Sequence, residues 1–119
     1  MIDSILSHAL DTYPREAILL LRGKKSGDEL LINDIVVPPL ATHGVGFSGF
    51  LGSMLPLDLR VVGVSHSHPS GHLGPSSHDL NPFYGRIMVI AAYPFQSYSD
   101  VAVFDKDGSR LRWQLTSDL

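Results

Sequence analysis

Four of the six histidines of this chain lie close together in the sequence, namely His66, His68, His72 and His78. His66 and His68 stand two residues apart at the end of a Val-rich segment, and on a β-strand this spacing places both imidazoles on one face, as a metal ion requires. Asp79 follows a turn rich in Pro and Gly, near the expected start of a helix. Zinc held by three protein ligands keeps a fourth position for water, so two imidazoles and one carboxylate predict a catalytic site.

The other two histidines of the cluster are weaker ligand candidates. His72 follows His68 by four residues, but the Pro and Gly residues around it disfavour the helix that would bring the two rings together. An H-x-H pair alone is also compatible with two exposed or hydrogen-bonded histidines at a strand end. The metal-site prediction therefore depends on Asp79, which adds a third ligand of suitable type.

Proton transfer in a zinc hydrolase needs an acceptor beside the attacking water, and Glu is the usual residue. The chain contains only two, of which Glu29 lies in a polar turn and is explained as a surface charge. Glu16 precedes an apolar strand, which favours a functional role, although Arg15 beside it also suits an ordinary polar junction. Ser76 and Asp79 match the S-x-x-D pattern of a helix start, and this capping role leaves the Ser76 hydroxyl available near a metal.

The hydrophobic pattern predicts the scaffold that must position these residues. Apolar residues recur with helical spacing from Ile2 to Tyr13, and Pro14 ends that helix. This order of elements predicts an α/β fold with one domain over residues 1–119 and a mixed β-sheet flanked by helices. The remaining predicted elements are a hairpin of strands 17–23 and 30–37, a long loop over 38–57, a strand over 59–68, a helix over 77–84, a strand over 86–93 and a final hairpin of strands 99–105 and 109–115.

Composition narrows the function classes further. Nine Lys and Arg against twelve Asp and Glu give a net charge of −3, without a basic block, so nucleic acid is not an expected partner. The absence of Cys excludes disulfides, thiolate zinc sites and cysteine nucleophiles. The first residues lack a positively charged segment and a long apolar run, so we expect neither a signal peptide nor a membrane span, and a cytoplasmic location.

The complete residue pattern resembles the JAMM, or MPN-plus, metalloprotease signature. It consists of Glu16, the run from His66 to Pro69, six residues ending in Pro75, and then Ser76 and Asp79. The predicted order of helices and strands is similar to that family over essentially the whole chain. The resemblance implies a JAMM/MPN architecture, related to cytidine deaminases, of the compact archaeal or bacterial type. Inactive members of the fold lack metal ligands, whereas this sequence keeps them all.

The resemblance also implies an activity, namely a zinc-dependent isopeptidase or peptidase. Such an enzyme cuts after the C-terminal glycine of ubiquitin or of a ubiquitin-like protein, including small modifiers and sulfur carriers. By the same resemblance His66, His68 and Asp79 bind one Zn²⁺ per chain. Glu16 is then the general base and later the acid for a zinc-bound water, and Ser76 stabilises the oxyanion.

Several alternatives stay open at this point. A peptidase acting on a carrier protein shares every catalytic residue with an isopeptidase, and a zinc-stapled module that only binds a ubiquitin-like protein shares the ligands. A cupin-like site would need a Glu a few residues after the histidines, and none follows Glu29. The Gly-rich segment 42–54 is a candidate flap over an extended Gly-Gly tail. The oligomeric state, including a homodimer, is left open, and His8 and His43 receive no role.

Overall fold

The computed structural model describes residues 1–37, 60–75 and 85–116 of the chain. The predicted loop over 38–57 and the predicted helix over 77–84 therefore lie outside the described residues. Within the described part, no helix is long and apolar enough to cross a membrane. The elements are α1 (Ile2–Thr12), β1 (Ile18–Ser26), β2 (Glu29–Val36), β3 (Val61–His68), β4 (Ile87–Ala92), a 3₁₀ turn (Tyr98–Asp100), β5 (Val101–Phe104) and β6 (Arg110–Leu111).

The strands form one mixed sheet in the order β2-β1-β3-β4-β5-β6. Strands β3 and β4 are parallel, and every other neighbouring pair is antiparallel. The predicted α/β class with a mixed sheet is thus confirmed. The strand that carries the two motif histidines is β3, which is paired on both sides, so its backbone is held more firmly than that of an edge strand.

Helix α1 covers one face of this sheet because its apolar residues recur every three or four positions. Alternate residues of the strands point to that helix and to the opposite face. The core beneath α1 includes Ile5, Ala9, Leu19, Leu21, Val89 and Ala91. The opposite face carries two smaller buried clusters, which include Leu20, Val64, Met88 and Ile90.

The first hairpin is tighter than its polar sequence predicted. A six-residue turn was expected, but β1 continues to Ser26 and β2 begins at Glu29, so only Gly27 and Asp28 connect them. Gly27 has φ of 61°, which a tight hairpin turn demands and which glycine adopts without a steric penalty. The prediction was wrong because hydrophobicity marks burial, whereas main-chain pairing continues through exposed polar residues.

The last strand is shorter than predicted. The second strand of the final hairpin was expected over 109–115, but only Arg110 and Leu111 pair with β5. Trp113 lies beyond the pairing and packs edge-on against Tyr98, with 5.9 Å between ring centroids. The pairing ends early because β5 itself offers only four residues.

Candidate metal centre

The two histidines of the H-x-H pattern lie on one face of β3, as their spacing predicted. His66 is opposite Ile18 of β1 and Ile90 of β4, and all three belong to the sheet face that α1 does not cover. His66 is buried, with 4% of its surface exposed, whereas His68 at the strand end is partly buried. The intervening Ser67 points to the α1 side, where it lines a small cavity. The paired imidazoles are therefore held by a central strand with one ring deep and one near solvent.

Glu16 reaches the same place from the other end of the sequence. It stands just before β1, whose antiparallel register with β3 sets Ile18 opposite His66. The Ser67 amide donates to the Ala17 carbonyl at 2.9 Å, which continues the pairing by one residue toward Glu16. Glu16 Oε1 then lies 2.9 Å from His66 Nδ1, and 47% of the Glu16 side chain is exposed. A carboxylate that contacts the buried imidazole thus also faces solvent, where a substrate can arrive.

The hydrogen bonds of the two imidazoles determine which nitrogen each ring offers to a cation. His66 Nδ1 donates to the Glu16 carboxylate, and His68 Nδ1 lies 2.8 Å from the His72 carbonyl oxygen. Both oxygens accept, so the protons sit on Nδ1, and Nε2 of each ring carries the lone pair that coordinates a cation. Metal-binding histidines typically show this arrangement, because the bond at one nitrogen orients the ring and makes the other more basic. The donor set therefore suits zinc.

A short turn after β3 supplies the acceptor for His68. The Gly71 amide donates to the His68 carbonyl at 3.0 Å, and Gly71 has φ of 85°, a region that side chains other than glycine rarely adopt. This reversal brings the His72 carbonyl back to the His68 ring, while Leu73 packs onto the sheet face below. Sequence reasoning weighed the His72 imidazole as a ligand and missed the role of its backbone. The Pro-Ser-Gly turn was the signal that pointed to it.

We expect Gly71→Ala to weaken zinc binding about 10-fold, because disturbing the partner of a ligating histidine typically costs about 10- to 100-fold in metal affinity. The added Cβ would strain the left-handed conformation that Gly71 adopts, and relief of this strain would shift the His72 carbonyl. His72→Ala keeps that carbonyl, so its zinc affinity is expected to stay within about twofold of wild type. This change is much smaller than the cost of about 10- to 100-fold for disturbing the partner of a ligand. Competition with a chromophoric chelator measures both. Weak binding by His72→Ala alone would instead make the His72 imidazole a ligand.

Two predicted site residues, Ser76 and Asp79, lie outside the described residues, as do His78 and the segment 42–54. In residues 1–37, 60–75 and 85–116, no three His, Asp or Glu side chains converge on one point. The described part thus places Glu16 in contact with His66 and sets His66 and His68 on one face of β3, and the role of Asp79 as third ligand stays a prediction. His8 is separate from them, because it borders the cavity under α1 on the other side of the sheet.

Comparisons with known proteins agree with this geometry. Residues 1–114 match the family described as prokaryotic homologs of the JAB domain. A protein of Haloferax volcanii named as a probable metalloprotease is 31% identical over 114 residues, covering 90% of this chain and 70% of that one. A JAB1/MPN domain protein from Archaeoglobus fulgidus superposes with a TM-score of 0.71 at 24% identity, covering 98% of this chain and 90% of that one.

A second solved structure has the same fold. It is described as JAMM, a metalloprotease-like zinc site in the proteasome and signalosome, and it superposes with a TM-score of 0.67 at 24% identity. The match covers 98% of this chain and 91% of the other. At these identities the two structures establish a shared architecture, while the sequence matches carry the family relationship.

Proposed function

The chain belongs to the family of prokaryotic JAB-domain homologues and has a metalloprotease-type function, and from this premise we propose that it is a zinc-dependent isopeptidase or peptidase. Its proposed substrates are ubiquitin-like proteins, small modifiers or sulfur carriers, that end in Gly-Gly. We further propose that residues 1–119 act as one catalytic domain. The observation that carries the proposal is the 2.9 Å contact between Glu16 Oε1 and His66 Nδ1.

This contact supports catalysis because it joins a proton acceptor to a metal ligand. His66, His68 and Asp79 would hold the zinc, the first two through Nε2. When bound, zinc supplies a Lewis acid that polarises the scissile carbonyl and acidifies water. A zinc-stapled binding module would use this contact only to orient His66, whereas the exposure of the Glu16 side chain also gives a substrate access to a proton acceptor.

Glu16 has the position and access that proton transfer requires. Its Oε1 accepts from His66, which fixes the direction of the carboxylate, and its exposed part can take a proton from an attacking water. The protonated carboxyl then gives that proton to the departing amine, which completes hydrolysis of the amide bond. Ser76 would donate a hydrogen bond to the carbonyl oxygen as negative charge develops on it.

The Gly-Gly preference is supported by the motif resemblance and by a physical argument. A tail without side chains fits a narrow groove in extended form, where main-chain hydrogen bonds can supply affinity. The folded protein that precedes the tail would then provide specificity. The amine side of the scissile bond is expected to be less discriminated, so peptide and isopeptide bonds are both candidates.

A cleavage panel tests this function directly. Zinc-loaded protein is incubated with ubiquitin-like proteins whose Gly-Gly tail is joined to a reporter through a peptide or an isopeptide bond, and products are identified by intact mass. We expect cleavage after the second glycine that disappears with chelator and with an Ala-Ala tail. Binding of the same proteins without cleavage would favour the zinc-stapled binding module. If the protein neither binds nor cleaves these substrates, the proposed substrate class is wrong.

A further inference from the structure

Ser67, the residue between the two histidines, makes an unusual pair of contacts with Ala17. Its Oγ accepts a hydrogen bond from the Ala17 amide at 2.6 Å, and its own amide donates to the Ala17 carbonyl at 2.9 Å. Both residues are buried, with 2% and 5% of their surfaces exposed. One serine thus holds both backbone polar groups of the residue that directly follows Glu16.

The hydroxyl replaces a main-chain acceptor at this point. The register of β1 with β3 places Ala17 opposite Ser67. In an antiparallel ladder every second opposed pair exchanges two backbone bonds, and the bond from the Ser67 amide to the Ala17 carbonyl marks this as such a position. Here the Ala17 amide goes to the side chain instead, and β1 begins one residue later, at Ile18. The chain therefore leaves the regular ladder at Ala17, and Glu16 is directed toward His66.

We propose that Ser67 is a positioning residue that sets the place of the Glu16 carboxylate through the Ala17 amide. This inference rests on the proposed function, in which Glu16 transfers the proton. Ser67 itself touches neither substrate nor metal, since its side chain lies on the α1 side of the sheet, away from the two imidazoles. Without the hydroxyl, the Ala17 amide would lose its acceptor, and the backbone that carries Glu16 would no longer be held in place. A displacement of about 1 Å at a catalytic group can cost about 100-fold in rate.

The chain offers closely matched variants for the test. Ser67→Ala removes the hydroxyl, and Ser67→Thr retains it. Ser65→Ala removes the same group from the same strand and face, and Ser65 is also buried and borders the same cavity. The thermal unfolding midpoint of each variant is measured first, to show that the variant is folded under the assay conditions.

We expect Ser67→Ala to lower kcat about 10- to 100-fold on a substrate from the cleavage panel, with KM changed less than about threefold. Zinc affinity should fall about 10-fold, as for Gly71→Ala, because displacing Glu16 also disturbs the Nδ1 partner of His66, so kcat is compared at saturating zinc. Ser67→Thr should restore kcat and Ser65→Ala should leave it unchanged. If the unfolding midpoint and kcat fell alike in all the serine variants, the positioning role would be overturned.

Hydrogen exchange of the Ala17 amide provides a readout independent of activity. The amide should be protected in wild type, Ser65→Ala and Ser67→Thr, and exchange faster in Ser67→Ala. Unchanged protection in Ser67→Ala would overturn the inference even if the enzyme were active. If wild type cleaves no member of the panel, the proposed function fails on its own, while the exchange result still decides whether Ser67 holds Ala17.

Discussion

Replacing Glu16 by Gln is expected to reduce turnover by at least about 100-fold while zinc remains bound, since general acid–base catalysis typically contributes 10²- to 10⁴-fold. The Gln amide oxygen can still accept from His66 Nδ1, so the ring orientation and the donor nitrogen are preserved. What the amide cannot do is take a proton from water and return it to the leaving amine. Steady-state cleavage rates and zinc content of the same preparation measure the two effects.

The second glutamate of the chain is the matched control for this substitution. Glu29 is exposed at the far end of the β1–β2 hairpin from Glu16. Glu29→Gln makes the same change in charge and shape, and we expect its activity to equal that of wild type. Full activity of Glu16→Gln would place the proton acceptor elsewhere. Loss of zinc together with activity would mean that Glu16 maintains the metal site rather than the chemistry.

Replacing His66 by Ala is expected to remove zinc almost completely from the desalted protein. His66 is the more deeply buried of the two candidate ligands that the structure describes, and the substitution would leave two donors at a site expected to need three. Zinc affinity should fall by more than the roughly 10- to 100-fold that disturbing a ligand's hydrogen-bond partner costs. Metal analysis by mass spectrometry after reconstitution measures the stoichiometry, which should be about one zinc per chain for wild type.

A histidine on the other side of the sheet controls for the loss of an imidazole as such. His8→Ala removes a ring from α1, where it borders the cavity behind Ser65 and Ser67, and we expect unchanged zinc content. Zinc should also raise the unfolding midpoint of wild type and of His8→Ala, because it binds the folded state, but not that of His66→Ala. Full zinc binding by His66→Ala would disprove the proposed ligand set and would mean that zinc binds at another site.

Several features of the fold were predictable because they depend on local pattern. The helical spacing from Ile2 to Ala9 marks a face that must be buried, and the apolar runs of β3 and β4 mark central strands. The parity of His66 and His68 determined that they share a face whatever the sheet order was. The two wrong boundaries, at the first hairpin and at the last strand, arose where exposed backbone pairing and hydrophobicity do not coincide.

The residue types of the motif and their spacing are visible in the sequence alone, and they are enough to predict the family and the metal chemistry. Which atoms meet depends on the tertiary structure. The contact between Glu16 and His66 joins positions 50 apart in sequence, and its distance follows from the antiparallel register of β1 with β3. The acceptors at Ser67 Oγ and at the His72 carbonyl are likewise consequences of strand pairing and of a reversing turn. Spacing along a chain specifies faces, whereas hydrogen-bond partners depend on how separate segments are brought together.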